Sequence, residues 1–100
     1  MGGDLDLLAA TIESFLERAP EMLRDVREAV AARDPKKVAL SAHSVKGIAA
    51  TLDARRLAAE ARRIEVLARE GDLAGVQKSL ADFEREFELA LEALREEMPA

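Results

Sequence analysis

Ser41-Ala42-His43-Ser44-Val45-Lys46-Gly47-Ile48-Ala49-Ala50-Thr51-Leu52 contains the only histidine of a 100-residue chain, with a lysine three positions on and a glycine four on. Val38, Ala42, Val45, Ala49 and Leu52 recur at helical spacing, which predicts an amphipathic helix with a single apolar stripe. At about 100° per residue, His43 falls roughly 140° from the centre of that stripe, on or near the surface. Lys36, Ala39, Lys46, Gly47 and Ala50 share its flank. Apart from the lysines, everything beside the imidazole is small. A helical glycine costs about 1 kcal/mol relative to alanine. In so alanine-rich a chain, Gly47 therefore reads as clearance for something that must approach the backbone beside His43.

Outward from this segment, the same spacing predicts helices on both sides. Asp34-Pro35 is a cap followed by a first-turn proline and starts the central helix. Before it, Asp4 is placed to cap a short helix carrying Leu5, Leu8, Ile12, Phe15 and Leu16. Ala19-Pro20 breaks that pattern, and Pro20 opens a second helix with Met22, Leu23, Val26, Ala29 and Val30 inward, ending near Arg33. Leu7 lies off the stripe and is a candidate exposed contact. After the central helix, Asp53 is placed to cap a helix with Leu57, Ala61, Ile64 and Leu67 facing in. Gly71-Asp72 is a stop followed by a new cap. The last helix keeps a 3,4 alternation through Leu73, Val76, Leu80, Phe83, Phe87, Leu91 and Leu94. Its length is about 37 Å. The links are short, which predicts antiparallel neighbours. The fold expected is all-α: an antiparallel up-down four-helix bundle with a short additional N-terminal helix, residues 1–100 forming a single domain.

Composition agrees and excludes several function classes. The chain is 49% hydrophobic and 35% charged, with three aromatic residues, which suits a helical bundle. There is no cysteine, so thiol chemistry and disulfides are impossible. A net charge of −5 argues against general nucleic-acid binding. The longest apolar run, Ile48 to Leu52 with Thr51 tolerated, falls far short of the roughly 20 residues of a membrane span. Met1-Gly2-Gly3 opens no signal-peptide pattern, so a soluble cytoplasmic domain is expected. A monomer is expected if the last helix packs wholly within its own chain, since no second long apolar stripe is left over.

The chemistry that suits the His43 face is phosphoryl transfer to an imidazole nitrogen. Neutral imidazole is a good nucleophile near its ordinary pKa of about 6.5. A transferred phosphoryl group spreads negative charge over its oxygens, and Lys46, a turn away, offsets part of that charge. Positions 39, 40, 46 and 47 offer no carboxylate to complete a metal site with His43. Arg55, Arg56, Arg62 and Arg63 are interleaved with Glu60, Glu65 and Glu70, the pattern of a solvated, salt-bridged face.

Ala42 to Leu52 resembles the signature of histidine-containing phosphotransfer (Hpt) domains, His-x-x-Lys-Gly-x-small-x-x-apolar, often followed by glycine. The likeness extends to Phe15-Leu16-Glu17 and to Ala61-Arg62-Arg63-Ile64-Glu65 ahead of Arg69-Glu70-Gly71-Asp72-Leu73, nearly the whole chain. It implies that His43 is the phosphoacceptor, Lys46 the phosphate-side cation and Gly47 the clearance residue. Lys36, Ala39, Ala50 and Leu7 then become candidates for the docking surface. The implied partners are receiver domains of response regulators and a sensor histidine kinase. A receiver would present a phospho-aspartate and its bound Mg²⁺ to His43, and a second receiver would later take the phosphoryl group. On this reading the chain is a carrier, not an enzyme: it has no ATP site and no cofactor of its own. Asp53 departs from the pattern by standing where many members have glycine.

Two other readings stay open at this stage. The domain could be the substrate module of a larger histidine kinase, phosphorylated on the same histidine directly from ATP. It could also be a non-catalytic helical interaction domain, since a lone histidine on a helix is usually only a solvated residue.

Overall fold

The computed structural model describes residues 3–98, with side chains described from Asp6 onward. It contains four helices: α1 (Gly3–Ala31), α2 (Pro35–Thr51), α3 (Arg55–Arg69) and α4 (Leu73–Glu97). α2 packs against α1 and α3, and α4 packs against α3 and α1, so the four enclose one core in an elongated body of 47 × 20 × 20 Å. No strand occurs among the described residues.

The caps at two of the three corners form as expected. Asp34 accepts the amide of Lys37 at 3.2 Å, with Pro35 in the first turn of α2. Asp72 accepts the amide of Gly75 at 2.8 Å and starts α4. All three corners also leave the preceding helix by the same route. Arg33, Asp53 and Gly71 adopt positive φ values of 55°, 59° and 76°. Each is followed by a paired return of amides to the last turn: Asp34 to Ala29 and Arg33 to Val30, Ala54 to Ala49 and Asp53 to Ala50, Asp72 to Leu67 and Gly71 to Ala68. This is the left-handed helix stop that favours glycine. It accounts for Asp53 at a position where glycine is common, because aspartate is among the few side chains that enter this region readily.

Two expectations about helix ends fail. Asp53 does not cap α3: the N-cap is Ala54, which makes no side-chain cap, and the Asp53 carboxylate instead accepts Arg55 Nε at 2.9 Å. The break at Ala19-Pro20 is also absent, so there is no separate short N-terminal helix. α1 runs straight through Pro20. The reason is phase. Ile12, Phe15, Ala19, Met22, Leu23, Val26, Ala29 and Val30 are all buried and form one continuous helical stripe across the proline. Breaking the helix there would give up that burial, which outweighs the roughly 3 kcal/mol of an interior proline. Asp4 consequently lies inside α1, not at a cap. Its side chain and that of Leu5, like Met1 and Gly2, lie outside the described residues.

The core centres on Phe15, Phe83 and Phe87. Phe87 has its ring centroid 5.9 Å from that of Phe15 and 5.8 Å from that of Phe83, both pairs tilted. An ion pair between Arg27 and Glu84 joins α1 to α4 at the rim. With α1, α3 and α4 locked together, α2 is held on both sides and its remaining face is open.

Candidate functional site

His43 sits in the middle of that open face, its side chain 57% exposed. Val38, Ala42, Val45 and Ala49 are buried on the opposite side, so the amphipathic register of α2 fixes where the imidazole points. Gly47, a turn further on, is exposed, and a Cβ placed there would meet nothing within 4 Å. Among the described residues, nothing therefore requires glycine at this position.

The imidazole is tied to α3. Nδ1 of His43 lies 3.0 Å from Glu65 Oε2. Lys46 Nζ lies 2.9 Å from the other oxygen, Oε1. Arg69, one turn along α3, places Nε at 3.1 Å and Nη2 at 2.8 Å from Oε2. The Glu65 side chain is only 8% exposed. Burial alone would push its carboxyl upward, but the contacts from Lys46, Arg69 and His43 and the charge of Lys46 outweigh it and hold the pKa at about 2. The carboxylate is therefore ionised at neutral pH and can only accept hydrogen bonds. Two cations face one carboxylate, which leaves a local surplus of positive charge in a chain of net charge −5.

The other residues singled out from the sequence divide. Lys36 and Ala50 are exposed on the same helix as His43. Ala39 is not: it is 4% exposed and belongs to the core. α2 is flanked by both α1 and α3, so its buried arc is wider than one stripe and includes the flank that carries Ala39. Leu7 is exposed, as its off-stripe position suggests, but it is not beside His43. It lies about 36 Å along α1 from Ala31, whereas His43 lies about 12 Å along α2 from Pro35. The two are separated by about 15 Å or more, allowing for the connection between them. Lys46 is brought to the site, though its ammonium is engaged with Glu65 and does not stand free over the ring.

Three residues at the site were not singled out from sequence. Glu65 and Arg69 are two of them. Glu65 follows the buried Ile64 and stands one turn after the buried Ala61, so its register put it on the edge of the apolar stripe. The third is Leu40, a turn before His43 and 64% exposed. It forms an apolar ridge between two shallow grooves, one including Asp25, Glu28 and Ser44, the other Lys36, Ala68 and Arg69.

Among the described residues no group of three or more His, Asp or Glu is placed to hold a metal ion. No described helix is long and apolar enough to cross a membrane.

The sequence model of the Hpt domain matches residues 10–97. The chain belongs to the Hpt family. It matches no curated protein and no solved structure. Hpt domains carry out histidine phosphotransfer in phosphorelays and work with receiver domains and histidine kinases of two-component systems. The matched span covers His43, Lys46, Gly47, Glu65 and Arg69, so the whole cluster described above lies within the Hpt domain.

Proposed function

We propose that this Hpt domain is a phosphorelay intermediate. It accepts a phosphoryl group on His43 from a receiver phospho-aspartate and passes it to the receiver of another response regulator. The observation that carries the reading is the division of labour on the imidazole. Nδ1 is engaged by an ionised carboxylate, and among the described residues Nε2 has no protein partner.

A carboxylate that only accepts keeps the proton on Nδ1 and leaves a lone pair on Nε2. Nε2 attacks phosphorus, the bond from phosphorus to the aspartyl oxygen breaks, and the carboxylate leaves with the electron pair. The ring becomes cationic as the new bond forms, with Nδ1–H still donated to Glu65. The Glu65 charge stabilises that cation in both directions of transfer. The protonated ring is also the better leaving group when the phosphoryl group moves on. Lys46, a turn along from His43, supplies positive charge for the phosphoryl oxygens. The Mg²⁺ that such a transfer uses comes with the receiver.

Docking falls to the open face of α2. Leu40 provides an apolar contact, Gly47 and Ala50 let a partner backbone come close, and Lys36 adds charge at the rim. The helices run antiparallel, up and down, which presents this face along one side of the rod. We take the domain to act as a cytoplasmic monomer, a carrier without an ATP site.

The test is to mix the domain with a phosphorylated receiver and look for acid-labile, base-stable phosphate on the chain. Wild type should label and His43→Gln should not. Equal labelling of the variant contradicts the proposal. Labelling by a kinase core with ATP, and none by any receiver, would make the domain a kinase substrate module instead.

A further inference from the structure

We propose that Arg69 is a positioning residue for His43: its guanidinium holds the Glu65 carboxylate in the orientation that keeps the imidazole proton on Nδ1. The consequence for transfer rests on the phosphorelay reading above; the geometry does not.

Three donors converge on Glu65 Oε2. His43 Nδ1 lies at 3.0 Å, Arg69 Nε at 3.1 Å and Arg69 Nη2 at 2.8 Å. The other oxygen faces Lys46 Nζ at 2.9 Å. The arrangement is two by two: α2 supplies His43 and Lys46, and α3 supplies Glu65 and Arg69. One cation is enough to balance the buried carboxylate, and Lys46 is that cation. The second is placed on the oxygen that faces the imidazole.

Lys46 alone would leave the carboxylate free to turn. An ammonium is a point charge and imposes no plane. Arg69 presents two N–H groups in a rigid fork, both directed at Oε2, and it does so from the helix that bears Glu65. The fork therefore fixes Oε2 relative to α3 while Lys46 fixes Oε1 relative to α2. Between them Oε2 stays against Nδ1. A neutral imidazole carries its proton on the nitrogen that is held by the acceptor. With Arg69 removed, the His43–Glu65 contact loosens and the proton populates Nε2, where it occupies the lone pair that must bond to phosphorus. An ordinary i,i+4 ion pair on a solvated helix face would leave the ring unchanged.

The test is imidazole ¹⁵N spectroscopy of the whole domain at about pH 8.5, where an ordinary histidine is neutral. It is run on wild type, Arg69→Ala and Arg69→Lys, with phosphoryl uptake from phosphoramidate followed in parallel. Wild type should be mainly the Nδ1–H tautomer. Arg69→Ala should shift the population toward Nε2–H and slow uptake about tenfold, the lower end of what partners that orient a functional histidine are worth. Arg69→Lys should fall between them, since it keeps the charge and loses the fork. A tautomer population in Arg69→Ala equal to that of wild type overturns the proposal, whatever the uptake rate. If the tautomer shifts but no form of the domain takes up phosphate from phosphoramidate or from a phosphorylated receiver, the positioning role stands and the phosphorelay reading fails.

Discussion

His43 Nδ1 meets Glu65 Oε2 at 3.0 Å across the α2–α3 seam, joining an exposed imidazole to a buried, ionised carboxylate. The contact makes the chemistry of the site depend on a residue from a different helix. It also ties the site to the stability of the bundle.

That link has a pH signature. The carboxyl of Glu65 is lowered from 4.5 to about 2 in the folded domain. A depressed acid contributes stability that is complete above its unfolded-state pKa and disappears as the pH falls through the folded one. Thermal melts should therefore lose stability between about pH 4.5 and 2. Glu65→Gln should remove part of that acid sensitivity and slow transfer about tenfold, because a neutral amide stabilises the cationic ring less well. Tm measured against pH for both proteins checks this.

Lys46→Ala should slow transfer while the domain remains folded. It should also cost about 1–3 kcal/mol, because Glu65 Oε1 is left buried without its cation. Urea unfolding with and without the substitution gives the figure.

At Gly47 the two effects should separate. A methyl group there meets nothing within 4 Å, so Gly47→Ala should stabilise the domain by about 1 kcal/mol through helix propensity. A larger residue, as in Gly47→Leu, should leave helix content intact and block transfer from a receiver. Higher stability combined with lower transfer is the signature of a glycine retained for a partner's approach.

Away from the site, Pro20→Ala should restore an α1 hydrogen bond at an exposed position and raise stability by up to about 3 kcal/mol. Arg33→Gly should add about 1 kcal/mol by relieving a left-handed residue. Neither substitution should alter transfer. Chemical denaturation together with the labelling assay tests both.

The sequence was legible where local chemistry and long-range packing ask for the same thing. Asp34-Pro35 and Gly71-Asp72 mark helix ends because their caps are satisfied locally, and the α4 stripe keeps one phase throughout. At Pro20 a local rule meets a continuous stripe, and burial of Phe15, Ala19 and Leu23 wins. A single helical wheel puts Ala39 on the open platform because it cannot show that α2 has two neighbours. The alternating charges along α3 put Glu65 on a solvated face. Only the packing of α3 on α2 shows that it points inward at His43. The His43-Lys46-Gly47 spacing was readable, but the carboxylate that orients the ring sits 22 positions away and became visible only with the fold.

The most direct test is the position of the phosphoryl group itself. After transfer, ¹⁵N and ³¹P spectra of the intact domain should show one phosphorus bonded to His43 Nε2, with Nδ1 still protonated. Phosphorus on Nδ1, or on any residue other than His43, would contradict the account.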